Sequence, residues 1–213
     1  MKVLPDEEKS AAARWDKRYR AAAAPPFGEA PNAYLRMVCA RPDFAARSSL
    51  CLADGDGRNG RWLALQGLSV TAVDVSAVAT EQALALDRRH GVGVERITAD
   101  LAEWAPAPGH AWDAVFLIYL QGTGTLRRRA LELGAAALAP GGWLVVEGFS
   151  KVQGARPEMG PDDLDRLYDL AELRDALPAL QVVEALAGRV LLSEGTRHRG
   201  EAEVVRYAAR RRG

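Results

Sequence analysis

Neither sign of charge is in excess in this sequence: 28 Lys and Arg side chains balance 28 Asp and Glu across 213 residues. Such a chain sets up no global field to draw in nucleic acid or an anionic membrane, which leaves small molecules as the expected partners. Cysteine is scarce as well. Cys39 and Cys51 are the only two, too far apart for a metal-ligand pair, so neither a zinc site nor a structural disulfide is expected. Long apolar runs are missing, none approaching the roughly 20 residues that cross a bilayer. Met1 and Lys2 lead into Pro5 and charged residues instead of the apolar core of a secretory leader, and a cytoplasmic location is the expectation. The length suits one α/β domain and is short for two.

What the chain does have is a patterned stretch over residues 49–101. It reads as strand, glycine turn, helix, strand ending in an acid, helix, strand ending in a second acid. Gly55 and Gly57 lack the Cβ that would hold a ligand off the backbone, and glycine takes positive φ readily. A short helix is expected over residues 61–67, with its N-terminal amides pointing into the loop, a favourable place for a carboxylate or phosphate. Asp74 would end the second strand, where an acid accepts from ribose hydroxyls. Asp100 would end the third, at the other end of a nucleoside, with an exocyclic amine of adenine as its partner.

Before this stretch, residues 6–24 are alanine-rich and helical in pattern, stopped by Pro25 and Pro26. Trp15 and Tyr19 fall on one face of that helix. Beyond it, residues 113–120 form a continuous apolar run, as in a strand buried on both faces of a parallel sheet. The loop 121–125 would leave the carboxyl end of that strand, the ligand side of open α/β sheets. Tyr119 and Gln121 are therefore substrate-side candidates, although Tyr119 also suits the core. Arg127 to Arg129 read as a solvated helix face, and Arg210 to Arg212 as a terminal tail. Around Pro140, Gly141 and Gly142 a helix stops and a buried strand begins. Residues 151–161, rich in Gly and Pro, suit a lid. Residues 162–177 carry Leu164, Leu167, Leu170, Leu173 and Leu177 at helical spacing. Residues 181–192 and 201–209 then read as two strands of a hairpin.

Gly55, Gly57 and Gly60 also satisfy G-x-G-x-x-G, with Asp74 near the ribose acid of NAD-binding sheets, so a nicotinamide oxidoreductase stays open on the fingerprint. The Pro-Gly-Gly turn and the terminal hairpin are not requirements of such sheets. With them, the chain resembles a class I S-adenosylmethionine-dependent methyltransferase. The first motif of that family resembles A-D-G-D-G-R-N (Ala53 to Asn59). Within the family, W-D-K-R-Y (from Trp15), P-N-A-Y-L (from Pro31), G-R-N and E-G-T-R-H-R-G (from Glu194) are similar to compact bacterial enzymes related to tellurite-resistance and thiopurine methyltransferases.

The resemblance implies a doubly wound, mostly parallel seven-stranded Rossmann-like α/β sheet with a C-terminal antiparallel hairpin. It also implies one domain over residues 1–213, with a helical cover (1–45) and a core (46–213). The implied cofactor is S-adenosylmethionine, held by Trp15, Tyr19, Ala53, Gly55, Asp56, Gly57, Arg58, Asn59, Asp74, Val75, Asp100, Leu101 and Leu117. Cys51 stands where many class I enzymes carry an acid in the first strand. The partner is a small-molecule methyl acceptor, with thiols and other chalcogen nucleophiles first, acted on by a monomer or homodimer. A sulfonium already carries the activation for displacement, so the protein mainly aligns reactants. A thiol needs no dedicated base. For a harder nucleophile, His198 and then Glu147 are the candidate proton acceptors, with Tyr119 beside them. His198, flanked by Arg197 and Arg199, also suits an exposed turn, and those arginines suit an anionic substrate. A non-catalytic cofactor-binding sensor is the remaining alternative.

Overall fold

The computed structural model describes residues 10–156, 159–161 and 163–213. Two helices come first, α1 (Ala11–Ala21) and α2 (Ala33–Cys39). Then β1 (Ser48–Leu52), α3 (Arg58–Leu65), β2 (Ser69–Asp74), α4 (Ala77–His90) and β3 (Glu95–Thr98) alternate. They are followed by β4 (Trp112–Ile118), α5 (Gly124–Ala136), β5 (Leu138–Phe149), α6 (Leu170–Ala176), β6 (Leu180–Glu194) and β7 (His198–Arg211). The seven strands form one sheet in the order β3-β2-β1-β4-β5-β7-β6, parallel from β3 to β5, with β7 antiparallel to both of its neighbours. The order reverses between β1 and β4, and ligands of open α/β sheets sit at such a switch point, beyond the carboxyl ends of the strands.

Alternate residues of the central strands feed two apolar layers. Leu50, Leu52, Val115, Leu117, Leu144 and Val146 face one, while Cys51, Ala114, Phe116 and Val145 face the other. Both faces of these strands are covered, which is why residues 113–120 read as an unbroken apolar run. Among the described residues, no helix is long and apolar enough to cross a membrane.

Several boundaries differ from the sequence expectation. The first helix ends at Ala21 because Ala22 is extended (φ −82°, ψ 123°); residues 6–9 of the expected helix lie outside the described residues. The helix after the glycine turn starts at Arg58, three residues early, because left-handed Gly57 (φ 82°) serves as its N-cap. Helix α5 stops before the Pro-Gly-Gly turn, and β5 runs through that turn with a shift in register between Trp112 and Ala114. A Cβ at Gly142 would fall 2.9 Å from the Ala139 carbonyl oxygen, so the close approach requires glycine.

The leucine-patterned segment does not form one helix. A 3-10 turn (Leu164–Arg166), the extended pairing of Tyr168 with Ser150 and then α6 replace it. Asp163 and Asp169 each accept a backbone N–H two residues on, restarting the chain twice. Leu167, Leu173 and Leu177 are buried, but Leu164 is 55% exposed. Asp162 lies outside the described residues. Both hairpin strands are longer than expected, and Arg210 and Arg211 belong to β7, bonding the carbonyls of Gly141 and Leu138 instead of trailing as a tail. The expected lid begins with a 3-10 turn (Lys151–Gln153) tied down by the Tyr168 carbonyl and by the Glu203 amide, which donates to Gln153. Residues 157 and 158 of that segment are outside the described residues.

Candidate active site

The loop between β1 and α3 is a stack of left-handed residues: Ala53 (φ 60°), Gly55 (φ 59°) and Gly57 (φ 82°). Its shape is held from behind by a buried ion triad absent from the sequence expectation. Asp54 accepts from the Gly60 amide and from Arg96 Nη1 (2.9 Å), and Arg96 Nε donates to Asp87 at 2.7 Å. A Cβ at Gly57 would sit 2.3 Å from Arg96 Nη2. Asp54 therefore staples the turn. Burial raises its carboxyl, and Arg96 opposes that shift.

Asp74 closes β2, as expected. Its Oδ2 accepts from the Gly55 amide (2.8 Å) and its Oδ1 from the Ser76 amide (2.8 Å). Burial pushes its carboxyl up to about 6 despite those two donors. Asp100 lies two residues past the end of β3, in a turn instead of the strand, its Oδ1 accepting from the Ala102 amide. Asp56 is buried with Oδ2 unpartnered, and burial takes it to about 6.

Helix α1 forms the roof. Ser10 caps it, and Asp16 reaches across to accept from Ser76 Oγ (2.6 Å) and the Val78 amide, so one carboxylate fastens the roof to the start of α4. Tyr19 is buried against the glycine loop. A Cβ on Gly55 would fall 2.2 Å from Tyr19 Oη. Trp15 lies beside it, ring centroids 6.0 Å apart.

The G-R-N triplet grips the segment before α2 and the tip of the hairpin. Arg58 donates to the carbonyls of Phe27 and Ala30 and, at 2.6 Å, to Glu194. Asn59 Oδ1 accepts from the Asn32 amide, and Asn32 Nδ2 donates to both Glu147 and Glu194 (3.0 Å). Glu147 also accepts from Arg206 Nε at 2.7 Å. Both Glu147 oxygens are thus engaged in a fully buried site. Its carboxylate ties β5, β7 and α2 together, which corrects its expected place as a proton acceptor facing a substrate.

These elements enclose a cavity of about 290 Å³. Trp15, Tyr19, Ala53, Asp74, Val75, Asp100 and Leu101 line it on one side, Tyr119, Gln121, Gly122 and Thr123 on another. Gly55, Asp56, Gly57, Arg58 and Asn59 stand behind that wall, and Leu117 points into the core instead, fully buried among Leu50, Leu144 and Val146. Tyr119 takes φ 55°, and its Oη is buried without a partner. Its ring packs on His198 (4.3 Å) and Phe149 (4.8 Å).

His198 is not in an exposed turn. It opens β7, 2% exposed, among Phe27, Tyr119 and Phe149, its Nδ1 lying 3.9 Å from Glu194 and lacking a hydrogen-bond partner. Burial holds its pKa below the ordinary histidine value. It stands behind Tyr119 and does not line the cavity. Arg127 is also corrected: it is buried, bonded to the carbonyls of Gly122 and Asp165, and stacked over Tyr168. Arg197 and Arg199 are exposed and away from the cavity wall. Cys51 is buried in β1 and Cys39 half-buried, neither in a disulfide. Among the described residues, no group of three or more His, Cys, Asp or Glu could hold a metal.

Residues 50–142 match the model of the methyltransferase domain family, which begins in β1 and ends at the Pro-Gly-Gly turn. Over those residues, fewer than half of the chain, the sequence is similar to a methyltransferase domain. Trans-aconitate 2-methyltransferase from Paracidovorax citrulli is 35% identical over 112 residues, 50% of this chain and 40% of that relative. The match thus spans less than half of the curated protein's length. A solved structure concerned with conversion of a disulfide bond into a thioacetal group during echinomycin biosynthesis superposes with a TM-score of 0.74 at 18% identity. It covers 95% of this chain and 92% of its own. TehB from Haemophilus influenzae gives 0.68 at 14% identity, over 94% of this chain and 67% of its own. The likeness of this chain to both structures is one of fold.

Proposed function

We propose that the chain transfers a methyl group from S-adenosylmethionine to a small-molecule acceptor, a thiol or other chalcogen nucleophile first. One observation carries the reading. Ala53 and Tyr119, the two non-glycine residues with positive φ among those described, line the same cavity from opposite sides of the switch point. Left-handed backbone costs roughly 1–2 kcal/mol per L-residue, and such strain gathers at functional sites.

The residues fit the cofactor. Asp74 presents a carboxylate at the cavity wall for ribose hydroxyls, and Asp100, Val75 and Leu101 bound the adenine side. Trp15 and Tyr19 close over it. The left-handed turn, where a Cβ at Gly55 would meet Tyr19 and one at Gly57 would meet Arg96, holds Ala53 at the cavity wall with Arg58 and Asn59 behind it. The unpartnered Asp56 Oδ2 is a buried acceptor of the kind an ammonium group satisfies. Bound there, the cofactor supplies an activated methyl group on a sulfonium. The chain's own task is to hold an acceptor in line and exclude water. Among the described residues no histidine lines the cavity, and a thiol, already a few per cent ionised at pH 7, does without one. That favours a chalcogen nucleophile, as does the sulfur chemistry of the fold neighbour. Tyr119 faces the acceptor, and His198 positions its ring from behind.

The proposal extends to a single domain over residues 1–213, with the cover at 1–45 and the core at 46–213, working in the cytoplasm as a monomer or homodimer without nucleic-acid or membrane partners. Calorimetric titration with S-adenosylmethionine, its demethylated product, NAD and NADP tests it. Binding of the first two alone, followed by turnover of a thiol, supports it. Binding of a nicotinamide cofactor overturns it in favour of an oxidoreductase, and cofactor binding with no turnover of any acceptor favours a sensor.

Asp74→Ala is expected to weaken binding of the demethylated cofactor by about 1–3 kcal/mol through unpaired ribose hydroxyls, with the fold kept but Tm lowered by the loss of the acceptor for the Gly55 and Ser76 amides; unchanged affinity would remove the ribose contact. The same contact has a pH signature. Asp74 accepts best when ionised, and its carboxyl sits near 6. Affinity should therefore be flat above about pH 6 and fall toward pH 5, by up to tenfold per unit. A flat profile across that range would contradict this role.

A further inference from the structure

Among the described residues, Arg14 lines the cavity from the roof and Arg166 from the 3-10 turn beside the loop 121–123. Arg166 is not a loose surface residue. The carbonyl of Asp165, just before it, is held by buried Arg127, which also binds the Gly122 carbonyl. The Asp165 carboxylate accepts from the Gly124 amide, and Leu167, just after Arg166, is fully buried. Buried Arg127 thus locks the turn to the loop that follows Tyr119. Among the described residues, Arg166 pairs with the half-exposed carboxylate of Asp163 at 3.7 Å, long for a charge-assisted bond. On the methyltransferase reading, Asp74 and Asp100 are committed to the cofactor, and among the described lining residues Arg166 is the cation beside the loop 121–123.

Resting on that reading, we infer that the acceptor is a small organic anion, its carboxylate held by Arg166 at the cavity wall. Gln121 and Thr123 flank that end with neutral polar groups. A guanidinium in a fixed turn recognises a planar carboxylate by paired N–H bonds, a geometry that a neutral analogue cannot satisfy. The nucleophile is a separate group of the same molecule, placed by that anchor in front of Tyr119.

The test is calorimetric titration of the chain loaded with demethylated cofactor, using 2-mercaptobenzoate against thiophenol and trans-aconitate against its trimethyl ester. At least one acid should bind about tenfold or more tighter than its neutral partner. Arg166→Gln should abolish that preference while leaving the affinity for demethylated cofactor unchanged, and Arg166→Lys should retain part of it. Neutral compounds binding as tightly as the acids, no binding by either member of both pairs, or a preference that survives Arg166→Gln would each overturn the inference. Failure of the demethylated cofactor itself to bind is a different result: it overturns the methyltransferase reading and this inference with it.

Discussion

Replacing Glu194 by alanine is expected to destabilise the chain by about 3–5 kcal/mol, the cost of stranding a buried charge, and to lower Tm by roughly 6–20 °C. Glu194 accepts from Arg58, from Asn32 Nδ2 and from the Ala33 amide, so its loss unpairs a guanidinium that is itself buried. Burial alone would raise its pKa, but the facing His198 and Arg58, with the Ala33 amide, bring it down to about 2. A carboxyl depressed in the folded state contributes stability that is full above its unfolded value near 4.5 and lost as pH falls toward 2. Wild type should therefore lose stability steeply between about pH 4.5 and pH 2, and Glu194→Ala should lack that part of the slope. Thermal melts of both proteins across this range check it; superimposable curves would show that the cluster holds nothing.

A second large effect is expected at Gly55. An added Cβ combines left-handed backbone, costing roughly 1–2 kcal/mol, with a 2.2 Å encounter with Tyr19 Oη. Overpacking of that kind costs about 1–3 kcal/mol more. Gly55→Ala should therefore push Tyr19 and the roof helix off the glycine loop, weakening cofactor binding and exposing residues 10–30 to limited proteolysis. The pair gives its own control. With the hydroxyl removed, the nearest remaining Tyr19 atom is Cζ at 3.3 Å, so Tyr19→Phe in the Gly55→Ala background should restore the packing share of the loss but not the backbone share. Identical proteolysis and affinity in the single and double variants would mean that Tyr19 does not seat the roof.

The parts of the fold visible in the sequence are those written in short-range pattern. The strand–turn–helix units, the two acids near the ends of β2 and β3 and the terminal hairpin follow from apolar periodicity and glycine placement. The leucine pattern over residues 162–177 misled because periodicity cannot register two aspartates that cap from outside a helix, at Asp163 and Asp169. The polar clusters were hidden for a different reason. Arg58 and Glu194 are 136 positions apart, and Asn32 and Glu147 are 115 apart; no local spacing marks such pairs. Arg127 looked like one of three solvated arginines until a folded neighbour supplied the carbonyls it binds. What the resemblance caught as four separate sequence motifs is, in space, largely one contact. G-R-N holds P-N-A-Y-L against E-G-T-R-H-R-G, with W-D-K-R-Y roofing the other side.

That contact sets an order of events for a chain emerging from the ribosome. Gly28 and Gly195 approach so closely that a Cβ on Gly195 would fall 2.3 Å from the Gly28 nitrogen, and the Pro26 carbonyl accepts from the amides of Thr196 and Arg197. Residues 26–34 are made early, yet their docking partners on β6 and β7 are made last. Contacts so distant along the chain form slowly, and residues 26–34 have nothing to dock on until β7 has inserted between β5 and β6, although α1 can already seat on α4 and the glycine loop. The segment between α1 and α2 is thus docked late, and a ligand-ready pocket is a late product of folding instead of an early scaffold.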